Sequence, residues 1–216
     1  MRFLIIGLGS MGKRRIRCLK HLKYEKIAGF DLRDDRRNEV NNKYNINTFE
    51  NIDMAIKEFQ PDVFIISVPP DVHHIYMQLA AEKNINFFVE ASVTDTSMDK
   101  IIGLVNKNSI TGVPSATMLY HPGLIKIKEI IESNKFGNIT NLVYQSGQYL
   151  PDWHTYEEVS DFYVSNPLTG GCREIVPFEL TWIIDLLGFP KKVAGKNLKT
   201  INIKGAEKID DTYNFI

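Results

Sequence analysis

A glycine-rich segment near the N-terminus has the residue types and the spacing that bind a dinucleotide. Gly7, Gly9 and Gly12 form a G-x-G-x-x-G pattern directly after the apolar run 3–6. In such a pattern Gly7 allows a tight turn, Gly9 lets the main chain approach a pyrophosphate, and Gly12 lets a helix pack closely on a strand. Main-chain N–H groups of the helix that follows hold the phosphate charge. The pattern therefore predicts a dinucleotide site. The alternative is a strand–turn–helix that merely tolerates glycine.

A carboxylate follows at the spacing that such a site requires. The apolar run 27–30 ends in Asp31, which lies 19 residues after Gly12. A carboxylate at this place accepts hydrogen bonds from the ribose of adenosine. The charged run 33–37 is either a solvated face or a site for a 2′-phosphate. Because Asp31 would repel a 2′-phosphate, we expect NAD rather than NADP.

The bulk properties narrow the classes of protein. The chain of 216 residues can form one complete domain and part of another. Its 26 basic and 26 acidic side chains balance, which argues against nucleic acid or a charged membrane as a partner. No apolar run approaches the roughly 20 residues of a membrane span, and the first residues predict a strand rather than a signal peptide. We expect a soluble, cytoplasmic protein with no metal site, in which Cys18 is a small buried apolar residue.

The elements that must position these residues alternate along the first 120 residues. Apolar strands are predicted at 3–6, 26–30, 63–68, 87–90 and 110–116. Helices are predicted between them at 11–22, 33–44, 52–59, 72–83 and 98–108. Near-continuous apolar strands separated by amphipathic helices are typical of a parallel sheet covered on both faces. Ligands of such sheets bind beyond the carboxyl ends of the strands.

The pattern changes after Pro122. A helix at 124–134, an aromatic-rich loop at 149–163 and a helix from about 173 to 187 are predicted, with strands at 139–148, 194–203 and 211–216. The predicted fold class is α/β: a Rossmann doubly wound parallel sheet, followed by a partial α+β domain with a mainly antiparallel sheet. We place the first domain at 1–121 and the second at 122–216. Since the chain ends inside a predicted strand, we expect the second domain to be truncated.

With these motifs assembled, the whole chain resembles the Gfo/Idh/MocA family of nicotinamide-dependent oxidoreductases. Four features carry the resemblance: the glycine-rich segment, the segment 68–73 (VPPDVH), the corner 89–92 (VEAS), and a helix preceded by Gly170-Gly171 and ended by Gly188. The resemblance implies that His73 lines the cofactor cleft and that Glu90 helps to position the nicotinamide ribose. The cofactor-binding residues that it implies, together with the motif, are Gly7, Leu8, Gly9, Ser10, Met11, Gly12, Asp31, Leu32, Arg33, Val68, Pro69, Pro70, His73, Glu90 and Ala91.

Two departures from the family pattern concern its catalytic groups. The family's Glu-Lys-Pro tripeptide reads Glu90-Ala91-Ser92 here, and alanine cannot transfer a proton. The family's Asp-x-x-His pair falls on Ile175 and Phe178, which are apolar. With Trp182 and Leu186 these two residues are spaced like the buried face of a helix.

Other residues near these positions have suitable chemistry. His154 is our first choice as general acid/base because an imidazole titrates near neutral pH, with Glu174 and Glu179 behind it. Arg173 can bind a carboxylate or phosphate through two N–H groups. Trp153 and Tyr149 suit stacking on a sugar, although loop packing explains these aromatic residues equally well.

The resemblance and these residues together predict an NAD(P)-dependent oxidoreductase that acts on a sugar or nucleotide-sugar. The sugar rests on the resemblance alone. We expect a small-molecule substrate, no nucleic acid or membrane partner, and a homo-oligomer formed through the second domain. Two alternatives remain. One is a catalytically inactive dinucleotide-binding sensor or interaction protein, and the other is a truncated, non-functional product.

Overall fold

A parallel sheet with helices between its strands forms the first half of the chain. In the computed structural model, the described residues are 1–153, 155, 157–161 and 163–216. The chain folds as two compact units, Met1–Ser115 and Ala116–Ile216. In the first unit the strands lie side by side in the order 47–49, 27–30, 3–6, 63–66, 86–89 and 112–114, and every neighbouring pair is parallel. This arrangement confirms the predicted Rossmann-type α/β fold.

The strands and helices of the first unit lie close to the predicted positions. The strands are β1 (Phe3–Ile6), β2 (Ile27–Phe30), β3 (Asn47–Phe49), β4 (Val63–Ile66), β5 (Asn86–Val89) and β6 (Gly112–Pro114). The helices are α1 (Ser10–His21), α2 (Asp34–Tyr44), α3 (Ile52–Phe59), α4 (His73–Glu82) and α5 (Met98–Lys107). Strand β3 was not predicted, because its three residues contain no apolar run that distinguishes a strand from a loop.

Two apolar layers hold the helices against the sheet. Along β1, Leu4 and Ile6 face one layer, while Phe3 and Ile5 face the other. All four side chains of this strand are buried, as expected of a central strand with a helical layer on each face. The alternating side chains of β1 therefore contribute to both apolar layers of the first unit.

Helix α1 shows one correction to the sequence analysis. Its buried positions are Gly12, Ile16 and Leu19, which repeat at helical spacing on one face. Cys18 lies away from that face and is exposed, so the prediction of a buried cysteine is wrong.

Over its described residues, the second unit contains two α-helices and a short two-stranded sheet. They are α6 (Pro122–Glu132), α7 (Cys172–Leu187), β7 (Gly195–Leu198) and β8 (Thr212–Phe215), and β7 pairs antiparallel with β8. The strand predicted at 139–148 does not form, and that prediction is wrong. A strand requires a hydrogen-bonded partner, whereas this segment is exposed throughout and lies outside both sheets. Among the described helices, none is both long and apolar enough to cross a membrane.

Candidate functional site

The three glycines of the motif occupy different environments at the carboxyl end of β1. Gly7 has φ +89°, and a Cβ there would lie 2.6 Å from the main-chain oxygen of Ser67. A Cβ on Gly12 would overlap the main-chain oxygen of Gly7. The fold itself therefore requires glycine at both positions. At Gly9, by contrast, the nearest atom to a Cβ is the Arg36 Nη1 at 3.5 Å, which is an ordinary contact with a flexible side chain.

The helix that follows the loop presents its N-terminus to the same edge of the sheet. Gly9 is the N-cap of α1, and none of the described side chains caps this end. The first turn contains no acidic residue, and Ser10 and Met11 are exposed. Free main-chain N–H groups and the helix dipole make such an end suited to an anion.

Asp31 lies at the end of β2 and reaches back to the glycine-rich loop. Its Oδ2 accepts a hydrogen bond from the Leu8 N–H at 2.7 Å, and its Oδ1 accepts one from the Arg33 N–H at 2.9 Å. The Arg36 guanidinium lies 3.7 Å from Oδ2. A carboxylate has about four lone-pair positions, so Asp31 retains capacity for a ribose hydroxyl. Leu32, the next residue, is exposed.

The charged run 33–37 separates into three environments. Arg37 donates to the main-chain oxygens of Asp31 and Leu32 at 2.9 Å, so it holds the loop after β2. Arg33 pairs with Asp35 on the surface at 2.6 Å, and this guanidinium lowers the pKa of the Asp35 carboxyl to about 2. Arg36 is therefore the arginine of the run that approaches both Asp31 and Gly9.

The loop after β4 is held by a buried histidine. His73 is 1% exposed, and its Nε2 lies 2.8 Å from the Val68 oxygen, which can only accept a hydrogen bond. Nε2 therefore carries the proton, and Nδ1 accepts from the Ser92 hydroxyl at 2.8 Å. Burial lowers the pKa of His73, which keeps this arrangement neutral. His73 thus joins the loops that follow β4 and β5, beside buried Pro70 and exposed Pro69.

Glu90, at the end of β5, is held by an arginine of α1. The Arg15 Nε and Nη2 donate to the two carboxylate oxygens of Glu90 at 2.6 and 2.7 Å. The Ser67 hydroxyl donates to Oε1 at 3.4 Å. Ala91, which follows Glu90, is half-buried. Sequence reasoning missed Arg15 and Ser92. The position of Arg15, one helical turn after Gly12, was the available signal.

The second unit contains the residues predicted for catalysis and substrate binding. His154 lies outside the described residues. The Tyr163 hydroxyl donates to Glu174 Oε1 at 2.5 Å, and the Trp182 Nε1 donates to Glu179 Oε2 at 2.7 Å. In the predicted apolar stripe of α7, Trp182 is buried, while Ile175, Phe178 and Leu186 are half-buried.

The predicted substrate-binding residues lie at and before the start of α7. Arg173, in the first turn, is exposed, and so is Tyr149. Trp153 is half-buried, and its indole N–H finds no acceptor among the described residues. Within the described parts of the chain, no group of three or more His, Cys, Asp or Glu side chains is arranged to hold a metal ion.

The fold and the loop at its carboxyl edge define a protein of the NAD-binding Rossmann class. The model of the Gfo/Idh/MocA oxidoreductase family, described as an oxidoreductase family with an NAD-binding Rossmann fold, matches residues 1–109, just over half of the chain. The chain therefore belongs to this family. No curated protein matches it significantly.

Solved structures show the same fold at low sequence identity. An oxidoreductase from Agrobacterium radiobacter in complex with NAD⁺, L-tartaric acid and magnesium has a TM-score of 0.80 at 14% identity, over 100% of this chain and 62% of its own. An NAD-binding protein from Listeria innocua has a TM-score of 0.78 at 16% identity, over 99% and 62%. An apo scyllo-inositol dehydrogenase from Lactobacillus casei has a TM-score of 0.58 at 16% identity, over 65% and 44%. The chain thus spans about three fifths of the length of the first two.

Proposed function

We propose that the first unit binds NAD(H) along the carboxyl edge of its sheet. The observation that carries this proposal is the contrast among the three glycines. Packing requires glycine at Gly7 and Gly12, whereas the space beside Gly9 admits a Cβ without displacing the main chain. The absence of a side chain at Gly9 therefore serves a ligand that approaches the main chain. A pyrophosphate would lie over Gly9 and the first turn of α1, with the adenosine ribose at Asp31.

The remaining cofactor-binding residues form the rim of the same edge. Leu32 and Arg33 follow the ribose carboxylate, and Val68, Pro69 and Pro70 form the loop after β4. Glu90 and Ala91 lie at the nicotinamide end, on the far side of β1 from Asp31. His73 acts through its hydrogen bonds to Val68 and Ser92 rather than by touching the cofactor, because both of its nitrogens are already bonded.

Replacement of Gly9 by valine tests this proposal directly. The side chain of Gly9→Val would occupy the space of the pyrophosphate, so we expect calorimetry to detect no NAD binding while circular dichroism shows an intact fold. Gly103→Val is the matched control, since Gly103 lies on α5 with open space around its Cβ position. Equal NAD affinity in Gly9→Val and the wild type would contradict the site.

We further propose that the chain takes part in oxidation or reduction of a sugar or nucleotide-sugar in the cytoplasm. The family supports the reaction class, and the fold similarity to an inositol dehydrogenase supports a polyhydroxylated substrate. Bound nicotinamide would supply the hydride chemistry, and the protein would position the reacting groups. His154 is the proposed general acid/base. The next candidates for this role are Glu174 and Glu179, which accept hydrogen bonds from Tyr163 and Trp182, respectively.

Arg173, Trp153 and Tyr149 are the proposed substrate contacts. Arg173 is exposed at the start of α7, where its guanidinium can bind a carboxylate or phosphate. The aromatic rings of Trp153 and Tyr149 suit stacking on a sugar.

A dinucleotide-binding protein without turnover is the second candidate. The methyl group of Ala91 and the apolar side chains of Ile175 and Phe178 favour it, because none of them transfers a proton. Reduction of NAD with a panel of sugars and nucleotide-sugars separates the two candidates. Turnover that is lost in His154→Ala and weakened in Arg173→Ala supports the oxidoreductase. Nucleotide binding with no turnover on any sugar supports the sensor.

A further inference from the structure

The Arg15–Glu90 ion pair joins the middle of α1 to the end of β5. Two parallel N–H donors of the guanidinium engage both carboxylate oxygens, which is the strongest geometry available to this pair. The side chains are 21% and 13% exposed, and the guanidinium carbon lies 4.8 Å from the centre of the Phe88 ring. The hydrogen bond to Glu90 raises the pKa of Arg15 further above its ordinary value, so the arginine is charged.

The position of this pair in the sheet assigns it to one end of a bound dinucleotide. The strand order places β2, β1, β4 and β5 side by side, with Asp31 after β2 and Glu90 after β5. At the usual spacing of neighbouring strands, these two carboxylates are about 14 Å apart across the edge. If Asp31 holds the adenosine ribose, as the proposed function requires, Glu90 and Arg15 lie at the nicotinamide end.

The two forms of the cofactor differ in charge at that end. The nicotinamide ring is cationic in NAD⁺ and neutral in NADH. A lone carboxylate near the ring would attract the oxidised form and leave the reduced form unaffected. When the carboxylate is paired with a guanidinium, the two opposite charges largely cancel beyond their immediate neighbourhood.

We propose that Arg15 is a positioning residue that sets the preference of the site between oxidised and reduced dinucleotide by neutralising Glu90. This inference rests on the proposed NAD(H) site and adds to it a residue that determines specificity for the redox state. Arg15 acts through Glu90 and need not touch the cofactor.

The test compares the dissociation constants of NAD⁺ and NADH, measured by calorimetry on the whole chain. In Arg15→Gln, Glu90 becomes an unpaired anion, so we expect the ratio of the NADH constant to the NAD⁺ constant to rise about tenfold. Glu90→Gln leaves Arg15 unpaired, and the ratio is expected to shift in the opposite direction. The double variant removes both charges, and its ratio is expected to return to the wild-type value.

Two further variants separate this role from a structural one. Arg15→Lys keeps the charge and is expected to keep the wild-type ratio. Arg14→Gln removes a charge from the neighbouring exposed position of α1 and is the matched control, with no change in ratio expected. A pair that only stabilises the fold would weaken both nucleotides together and leave the ratio constant.

The outcomes distinguish the inference from the proposed function. The wild type, Arg15→Gln and Glu90→Gln could all bind both nucleotides with the same ratio of the NADH to the NAD⁺ dissociation constant. That result would overturn the role of Arg15 and leave the proposed site intact. A wild-type chain that binds neither nucleotide overturns the proposed function and this inference with it. If Arg15→Gln does not fold, the test uses Glu90→Gln and the double variant. A lowered ratio in Glu90→Gln that returns to the wild-type value in the double variant supports the role of Arg15, and an unchanged ratio in both overturns it.

Discussion

At the scale of the residue, Asp31 and Arg36 are expected to control which phosphorylation state of adenosine the site accepts. In the proposed site the carboxylate of Asp31 accepts hydrogen bonds from the adenosine ribose, and the Arg36 guanidinium lies 3.7 Å from that carboxylate. Removing the carboxylate takes away a ribose acceptor and leaves Arg36 able to attract a 2′-phosphate. We expect Asp31→Ala to weaken NAD about tenfold and to improve NADP relative to NAD, as measured by the two dissociation constants.

Asp31 also supports the loop, and the control variants address that role. Its Oδ2 accepts the Leu8 N–H, so the alanine variant lowers stability as well as affinity. Asp31→Asn keeps an acceptor for Leu8 but removes the charge, and it is expected to shift the NADP:NAD preference in the same direction. Asp53→Ala, at an exposed position of α3, is the control for loss of one surface carboxylate. If both Asp31 variants keep the wild-type preference between NADP and NAD, neither Asp31 nor Arg36 determines that preference.

Individual contacts were predictable only where local spacing defines them. The positions of the glycines after β1 and of Asp31 after β2 were predicted from the sequence, because a strand–turn–helix of fixed length determines them. Arg15 and Glu90 are 75 residues apart, and the bond between them depends on how α1 crosses the sheet. The same holds for His73 and Ser92, whose hydrogen bond joins two loops after separate strands. Sequence patterns contain no direct signal for such side-chain pairs.

At the scale of the element, Asp211 is expected to make the β7–β8 hairpin sensitive to acid. Burial acts to raise its pKa, but hydrogen bonds from the Thr200 hydroxyl, the main-chain N–H groups of Ile201 and Thr200, and the Thr212 hydroxyl outweigh it and lower the pKa to about 2. The carboxylate accepts the Thr200 and Ile201 N–H groups at 2.8 and 2.9 Å. It thereby fixes the chain after β7 against the start of β8.

The sign of the pH dependence follows from this lowered pKa. An unfolded Asp titrates near 3.9, so the stabilisation is fully present above about pH 4 and is lost as the pH falls toward 2. At pH 7 we expect Asp211→Asn to lower the stability of the second unit by about 1 kcal/mol, a small value because the site is only partly shielded from water. Thermal unfolding followed at pH 7 and at pH 2 should show the difference between variant and wild type at the higher pH only. A difference of the same size at both values would contradict the assignment.

Elements with their own apolar pattern were predicted, and elements that depend on a neighbour were not. Helix α3 was predicted with its observed ends, since Asn51 caps it through a hydrogen bond from the Met54 N–H and its apolar residues repeat at helical spacing. Strand β3 has three residues and exists through its pairing with β2. The segment 139–148 has alternating apolar residues but no ladder partner in the described part of the chain, so its pattern alone does not make it a strand.

At the scale of the whole molecule, the two units differ in how much apolar surface they bury. Among the described residues of the second unit, the buried apolar side chains are Val164, Trp182, Ala206 and Ile209, whereas the first unit contains two extended buried clusters. Large apolar side chains remain exposed in the second unit. Among them are Tyr120, Val143, Phe189 and Ile216. Apolar burial is the main stabilising term in folding, so the second unit should have the lower free energy of unfolding.

These exposed side chains lead us to expect self-association through the second unit. An apolar surface of this kind drives association in water, and a two-stranded sheet alone buries too little to be stable. Analytical ultracentrifugation should show concentration-dependent oligomers, and hydrogen exchange should be faster in residues 116–216 than in residues 1–115. Val143→Lys should reduce association, whereas Leu22→Lys, at an exposed apolar position of the first unit, should not. A monodisperse monomer whose two units are equally protected from hydrogen exchange would contradict this expectation. The exposed apolar side chains would then neither lower the stability of the second unit nor drive association.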